Sequence, residues 1–249
     1  MKDDNYIDLT TNSHKLTNRL KLNSTTQEYN FRSWLFNLMP EIGEDFNILD
    51  LGCGTGAQTK HFLELVGVKG SVCALDASED SINLIAEDPR LKKYVADFDN
   101  ITSLKEILSG RQFDLINSTY ALYYSENPIG LIEFLRANYL SPRGKMVITG
   151  PTWSHELYRL ISNEFGENPD VTLTINFMES LLTPFLRETV GPYELHYLNN
   201  TSKFNSVEEA TVFINSTTYG AGINPNSLRE FLESLTTLSF RKTSLAAIF

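Results

Sequence analysis

The feature that most constrains this chain is a run of five residues followed by three alternating glycines: Asn47-Ile48-Leu49-Asp50-Leu51, then Gly52-Cys53-Gly54-Thr55-Gly56. A short, mostly apolar run bounded by glycine predicts a buried strand. Glycines at every second position free the backbone for conformations that a Cβ would hinder. The spacing of Phe62, Leu63, Leu65 and Val66 beyond them predicts a helix. Strand, glycine turn and helix together define an α/β unit whose helix N-terminus offers free N–H groups to a ligand above the strand.

The alternation continues. Strands are predicted at 71–76, 94–97, 113–117 and 144–149. Helices fall between them: one capped by Ser78 and stopped by Pro89, one near 103–108, and an amphipathic one at 128–140 with Ile129, Ile132, Leu135 and Tyr139 on one face. This rhythm implies a parallel sheet covered on both faces. Right-handed crossovers align the strand C-termini along one edge, where ligands bind. After Gly150 the rhythm breaks, with helices expected at 153–165 and 177–190, a strand at 193–198, helices at 206–216 and 225–235, and a last strand at 239–249. Residues 1–46 begin polar; a helix at 27–39 then carries Tyr29, Phe31, Trp34, Leu35 and Leu38, and Pro40 ends it. The expected organisation is an N-terminal helical cap (1–46) and one domain (47–249) with a helical insertion at about 151–192. The insertion and the cap either close over a substrate or form a homodimer interface through Phe177, Met178, Leu181 and Phe185, and the sequence leaves both open.

The formal net charge of −10 disfavours nucleic acid as a partner. The basic runs Arg19-Leu20-Lys21 and Lys92-Lys93 read as solvated surface. Two cysteines, Cys53 and Cys73, make neither a disulfide framework nor a zinc site. Reduced thiols and a polar start, Met1-Lys2-Asp3-Asp4-Asn5, suggest a cytoplasmic protein without a secretory signal, and no stretch is long and apolar enough for a membrane span.

Two ligands compete for the glycine loop. Gly52-x-Gly54-x-x-Ala57 satisfies the looser dinucleotide fingerprint. Against it, Asp50 stands two residues before the first glycine, where a carboxylate disfavours a pyrophosphate and favours an ammonium group. Gly56 makes the loop Gly-x-Gly-x-Gly. Asp76, twenty residues after Gly56, can accept ribose hydroxyls in either case.

The run from Ile48 to Gly56, with Asp76, Ala96-Asp97-Phe98 and Phe113-Asp114-Leu115-Ile116-Asn117, resembles the class I S-adenosylmethionine-dependent methyltransferases over about residues 46–150. The resemblance implies a doubly wound, mostly parallel seven-stranded Rossmann-like α/β sheet with an antiparallel C-terminal strand, here under a helical cap. It implies S-adenosylmethionine as cofactor. The loop Gly52, Cys53, Gly54 and Gly56 would run under the methionine portion, with Asp50 behind it. Asp76 would hold the ribose and Asp97 the adenine amino group, with Phe98 and Ala77 lining the base pocket. Asn117 and Ser118 would lie at the sulfonium.

The acceptor is then expected above the fourth and fifth strands. Tyr120 and Tyr124 are candidates to face the sulfonium, since aromatic faces favour cations, and Tyr123 and Trp153 to line the substrate. His155 is the candidate general base because an ordinary imidazole titrates near neutrality. No clustered acidic metal ligands and no Asn-Pro-Pro-Tyr-like motif follow the fourth strand, which favours a small-molecule acceptor. Two other functions stay in view: a nicotinamide oxidoreductase, which would need a catalytic domain with a proton donor, and a non-catalytic binder of the same fold.

Overall fold

The computed structural model describes residues 12–249. The first eleven residues of the expected cap lie outside them. The chain enters through α1 (Ser13–Thr26) and α2 (Phe31–Leu38). It then alternates β1 (Asn47–Leu51), α3 (Ala57–Leu65), β2 (Ser71–Asp76), α4 (Glu79–Asn83), β3 (Leu91–Val95), α5 (Ile101–Ile107), β4 (Phe113–Thr119), α6 (Pro128–Tyr139) and β5 (Leu140–Pro151). Helices α7 (Glu156–Phe165) and α8 (Pro169–Asn176) follow. The chain then widens into π turns over Phe177–Leu182 and Leu186–Val190 around a single α turn, α9 (Thr183–Phe185). It finishes with β6 (Glu194–Lys203), α10 (Val207–Asn215), α11 (Pro225–Ser234) and β7 (Ser239–Ile248).

One seven-stranded sheet has the order β3-β2-β1-β4-β5-β7-β6. The first five strands are parallel, and β7 runs antiparallel to both β5 and β6. The C-terminal ends of β1 to β5 therefore share one edge. Because β7 is reversed, Ser244 pairs with Pro151 and delivers the start of β7 to that same edge.

Buried apolar residues explain the layers. On one face Leu49, Leu75, Ile116 and Ile148 pack against α5, α6 and the π-helical segment. On the other, Ile48, Val72 and Leu115 meet Leu35 of α2 and Phe62 of α3. A separate cluster joins α7, α10 and α11 around Phe213, Leu228 and Phe240. Helix starts follow capping chemistry: asparagine side chains accept main-chain N–H groups at α1, α2, α5, α6, α8 and α11. Proline occupies the first helical position in α6, α8 and α11, where its missing donor costs nothing.

Two helices were not expected. Helix α1 is polar, with Leu16, Leu20 and Leu22 as its only apolar residues and Leu20 exposed, so its periodicity is weak. In α8, Val171, Leu173 and Ile175 alternate as in a strand, although Asn168-Pro169 caps it as a helix. In the segment 177–190, most of the expected anchors face the sheet rather than solvent. Phe177 and Met178 fill the core beneath the sheet, and Phe185 packs against that core. Leu181 alone of the four expected anchors is exposed. Among the described residues no helix is long and apolar enough to cross a membrane.

One buried side chain helps to tie the N-terminal helices down. Asn200 of β6 donates to Tyr29 O (2.8 Å) and Gln27 Oε1 (3.1 Å) and accepts from Tyr29 N (3.0 Å). Asn200→Ala leaves these main-chain groups without their partner, at about 1–3 kcal/mol. The expected result is a lower urea midpoint and faster proteolysis between α1 and α2. An unchanged midpoint and cleavage rate would show that the tether contributes nothing.

Candidate functional site

The glycine loop is built on a buried carboxylate. Asp50, at 2% exposure, accepts from the Thr59 hydroxyl of α3 (2.5 Å) and from Asn117 Nδ2 of β4 (2.8 Å). It thus bolts β1, the following helix and the neighbouring strand together beneath the loop. Burial pushes its carboxyl up to about 6 despite those hydrogen bonds. Above it, Gly52, Gly54 and Gly56 all take left-handed φ angles (69°, 53° and 80°). A Cβ on Gly52 would stand 2.2 Å from Ala121 Cβ, so the residue must be glycine for space as well as for φ. The N–H groups of Gly52 and Cys53 both donate to Leu75 O (2.8 and 3.1 Å), which lashes the loop to the end of β2. Cys53 is buried, and burial raises its thiol pKa well above the ordinary value.

Asp76 lies at the C-terminal tip of β2, partly buried. Its carboxylate accepts from Gly54 N (2.7 Å) and Ser78 N (2.9 Å), and burial raises its pKa. Ala77 beside it is exposed. Asp97 is exposed and accepts from Asp99 N (2.9 Å), closing the turn after β3. Phe98 points back towards the loop, its ring edge 3.8 Å from where a Gly52 Cβ would be. Asn117 and Ser118 are buried at the end of β4, and the Ser118 hydroxyl has no hydrogen-bond partner. The structure therefore gathers Asp50, the loop, Asp76, Phe98, Asn117 and Ser118 around one strand edge, with Ala77 and Asp97 on its open side.

The tyrosines form the other half. Tyr120 has φ 55°, an αL conformation that costs a non-glycine residue about 1–3 kcal/mol. That turn carries Ala121 over Gly52 and sends the Tyr120 ring away, to bond Ser244 Oγ (2.5 Å) and meet Phe31 of α2 edge-on (5.5 Å). Tyr123 stacks edgewise between Tyr120 (6.4 Å) and Tyr124 (4.6 Å). Tyr124 lies against the small cluster of Tyr158, Val171 and Ile175. Trp153 is 40% exposed and leans on Tyr158 (6.0 Å).

His155 is buried and serves as the N-cap of α7: Nδ1 accepts from Tyr158 N at 3.3 Å. Burial, followed by the charge of Lys242, lowers its pKa to about 3. Its ring faces Tyr219 (5.6 Å). Several neighbours here were not expected at the site. Phe31 and Ser244 contact Tyr120, Lys242 stands beside its ring, Tyr219 meets His155, and α1 brings in Asn23, which bonds Lys242, and Arg19, which is partly buried and not the solvated surface charge expected. Among the described residues no group of three metal-ligating side chains comes together.

A family model described as "Methyltransferase domain" matches residues 42–200, and the chain belongs to that family. It is a class I methyltransferase, an enzyme that uses S-adenosylmethionine. Solved structures share the fold. A candidate methyltransferase from Bacillus halodurans (BH2331) is 15% identical, with 87% of this chain and 96% of that one covered at a TM-score of 0.62. The plantazolicin methyltransferase BpumL, solved with a pentazolic desmethylPZN analogue and SAH, is 17% identical over 98% and 93% at 0.52. A candidate methyltransferase of Haloferax volcanii, in complex with the Trm112 methyltransferase activator, is 15% identical over 98% of each chain at 0.54. No curated protein matches the sequence.

The buried carboxylate makes a pH prediction. The folded Asp50 value, about 6, lies above the unfolded value of about 3.9, so the folded state holds the proton more tightly. Its contribution to stability therefore rises as pH falls from about 6 to about 4, by on the order of 3 kcal/mol, and is absent above that window. Asp50→Asn keeps a partner for Thr59 and Asn117 without the charge. Urea unfolding at pH 7.5 and 4.5 should show the variant more stable at the higher pH and lacking the wild-type gain on acidification. Parallel pH profiles for the two proteins would exclude a raised Asp50.

Proposed function

We propose that this enzyme transfers the methyl group of S-adenosylmethionine to a small organic acceptor bound in the aromatic chamber beside Asn117 and Ser118. The observation that carries the reading is the adjacency of two half-sites on one strand edge: the glycine loop with Asp76, and the chamber of Tyr120, Tyr123 and Tyr124. The donor suits the residues present. The left-handed glycines let main chain approach a ligand closely, and the Ser118 hydroxyl is a buried polar group lacking a partner. In this reading Gly52, Cys53, Gly54 and Gly56 underlie the methionine portion and Asp76 holds the ribose. Asp97, Phe98 and Ala77 bound the adenine, and Asp50 acts from below by fixing the loop. The sulfonium supplies an activated methyl, so the protein has mainly to align the acceptor and exclude water. Tyr120, Tyr123 and Tyr124 supply the walls, with Trp153 at the rim. A cytoplasmic location suits the two unpaired thiols, Cys53 and Cys73.

His155 takes a structural part in this scheme. Its Nδ1 is used by the helix cap, and its protonated form arises only near pH 3, so it is a poor proton acceptor at neutral pH.

Isothermal titration should show S-adenosylhomocysteine binding to the wild type with no binding of NAD. Asp76→Asn should weaken the former at least tenfold, the loss expected from charge-assisted hydrogen bonds of about 1.5–3 kcal/mol. Binding of NAD alone would overturn the reading, and unchanged affinity in the variant would remove Asp76 from the ribose. For His155, asparagine is a good N-cap that cannot act as a base. His155→Asn should retain kcat within about threefold, whereas a general base would lose on the order of a hundredfold or more.

A further inference from the structure

Two cations come close to the tyrosine cluster, near enough that the charge of Arg19 bears on Lys242. Arg19 of α1 donates Nη1 to Ser216 O at 2.9 Å, and Lys242 of β7 donates Nζ to Asn23 Oδ1 at 3.0 Å. Both side chains are partly buried. The Lys242 ammonium also stands 5.9 Å from the centre of the Tyr120 ring. Among the described residues neither cation has a carboxylate within ion-pair distance; the pairs formed by Arg90, Lys93 and Arg229 lie elsewhere. This is conspicuous in a chain with 31 acidic and 21 basic residues. Burial, followed by the Arg19 charge, pulls the Lys242 pKa down to about 8, as expected of a cation without a counter-ion. Buried charges are ordinarily paired, and two like charges brought together call for an anion between them. Both groups keep donors to spare: most of the Arg19 fork, and ammonium protons beyond the one given to Asn23. Phe31, Tyr120 and Tyr123 beside them offer ring faces and edges to a flat apolar body.

We propose that the methyl acceptor carries a carboxylate on an aromatic or similarly flat apolar body, with the carboxylate held between Arg19 and Lys242. This rests on the methyltransfer reading above and names its substrate class. The guanidinium fork suits the two carboxylate oxygens, and the ammonium neutralises the group from the β7 side. The acceptor is thus fixed by its charged end beside Tyr120, one residue from the end of β4, and its body extends over the tyrosines.

The test uses the protein loaded with S-adenosylhomocysteine and three probes: benzoate, the neutral isostere benzamide, and phenyl phosphate. Calorimetry should show benzoate binding at least tenfold tighter than benzamide and tighter than phenyl phosphate. Lys242→Met and Arg19→Met should each weaken benzoate at least tenfold, and Lys242→Arg should keep it within threefold. Affinity for S-adenosylhomocysteine should be equal in all four proteins. Loss of that affinity in the wild type would overturn the methyltransfer reading, not this one. Without ligands, Lys242→Met should unfold in urea at the wild-type midpoint or above, because a charge without a counter-ion is removed. A lysine that merely clamps Asn23 would give a lower midpoint and leave benzoate binding intact. Equal affinity for benzoate and benzamide, no binding of benzoate, or a preference for phenyl phosphate would each overturn the carboxylate assignment.

Discussion

Everything at the strand edge depends on the carboxylate of Asp50. It is a buried carboxylate on a central strand, and its two oxygens hold α3 through Thr59 and β4 through Asn117. Apolar side chains could fill the same volume with less desolvation cost. They could not set the angle between strand, loop and helix, because dispersion contacts have little directionality. The latch thereby fixes where Gly52 to Gly56 run, and Leu75 O, accepting two successive N–H groups, fixes the loop against β2. The Asn117 amide donates to this latch, whereas the neighbouring Ser118 hydroxyl is buried without a hydrogen-bond partner.

The strain at Tyr120 has the same logic. A residue at φ 55° persists only where its surroundings overrule the backbone preference. Here Ala121 must tuck over Gly52, while the tyrosine hydroxyl must reach Ser244 on a reversed strand. One turn therefore serves two sides: its far side closes the glycine loop, and its near side begins the tyrosine cluster. On the proposed reading, changes in that cluster vary the acceptor without moving the donor, as expected of a fold that hosts many chemistries.

The two halves were unequally legible in the sequence. The loop, Asp50, Asp76 and Asn117 sit at the ends of strands whose apolar runs stand out, so local pattern located them. The chamber is made by pairs far apart in the chain, such as Arg19 with Ser216, Asn23 with Lys242, and Tyr120 with Ser244. No local pattern announces such partners, and Arg19 in isolation reads as one more surface charge on a polar segment. Helix α1 was unreadable for the same reason: its stability comes from its caps and tertiary contacts more than from an apolar stripe. His155 reads differently in sequence and structure: its position after β5 suggested chemistry, but position does not reveal burial, and the buried ring accepts the Tyr158 N–H at the start of α7.

The polar character of α1 follows from where it lies. Leu16 touches the glycine loop, approaching to 3.0 Å of where a Gly54 Cβ would be, and Arg19, one turn on, enters the chamber. A helix that covered both half-sites with an apolar face would seal them as core. Instead α1 puts leucine at the loop and arginine near the tyrosine cluster, and the chain just beyond it is pinned through Asn200. Under the carboxylate proposal, α1 thus carries one contact to each half of the site, Leu16 at the glycine loop and Arg19 at the anion.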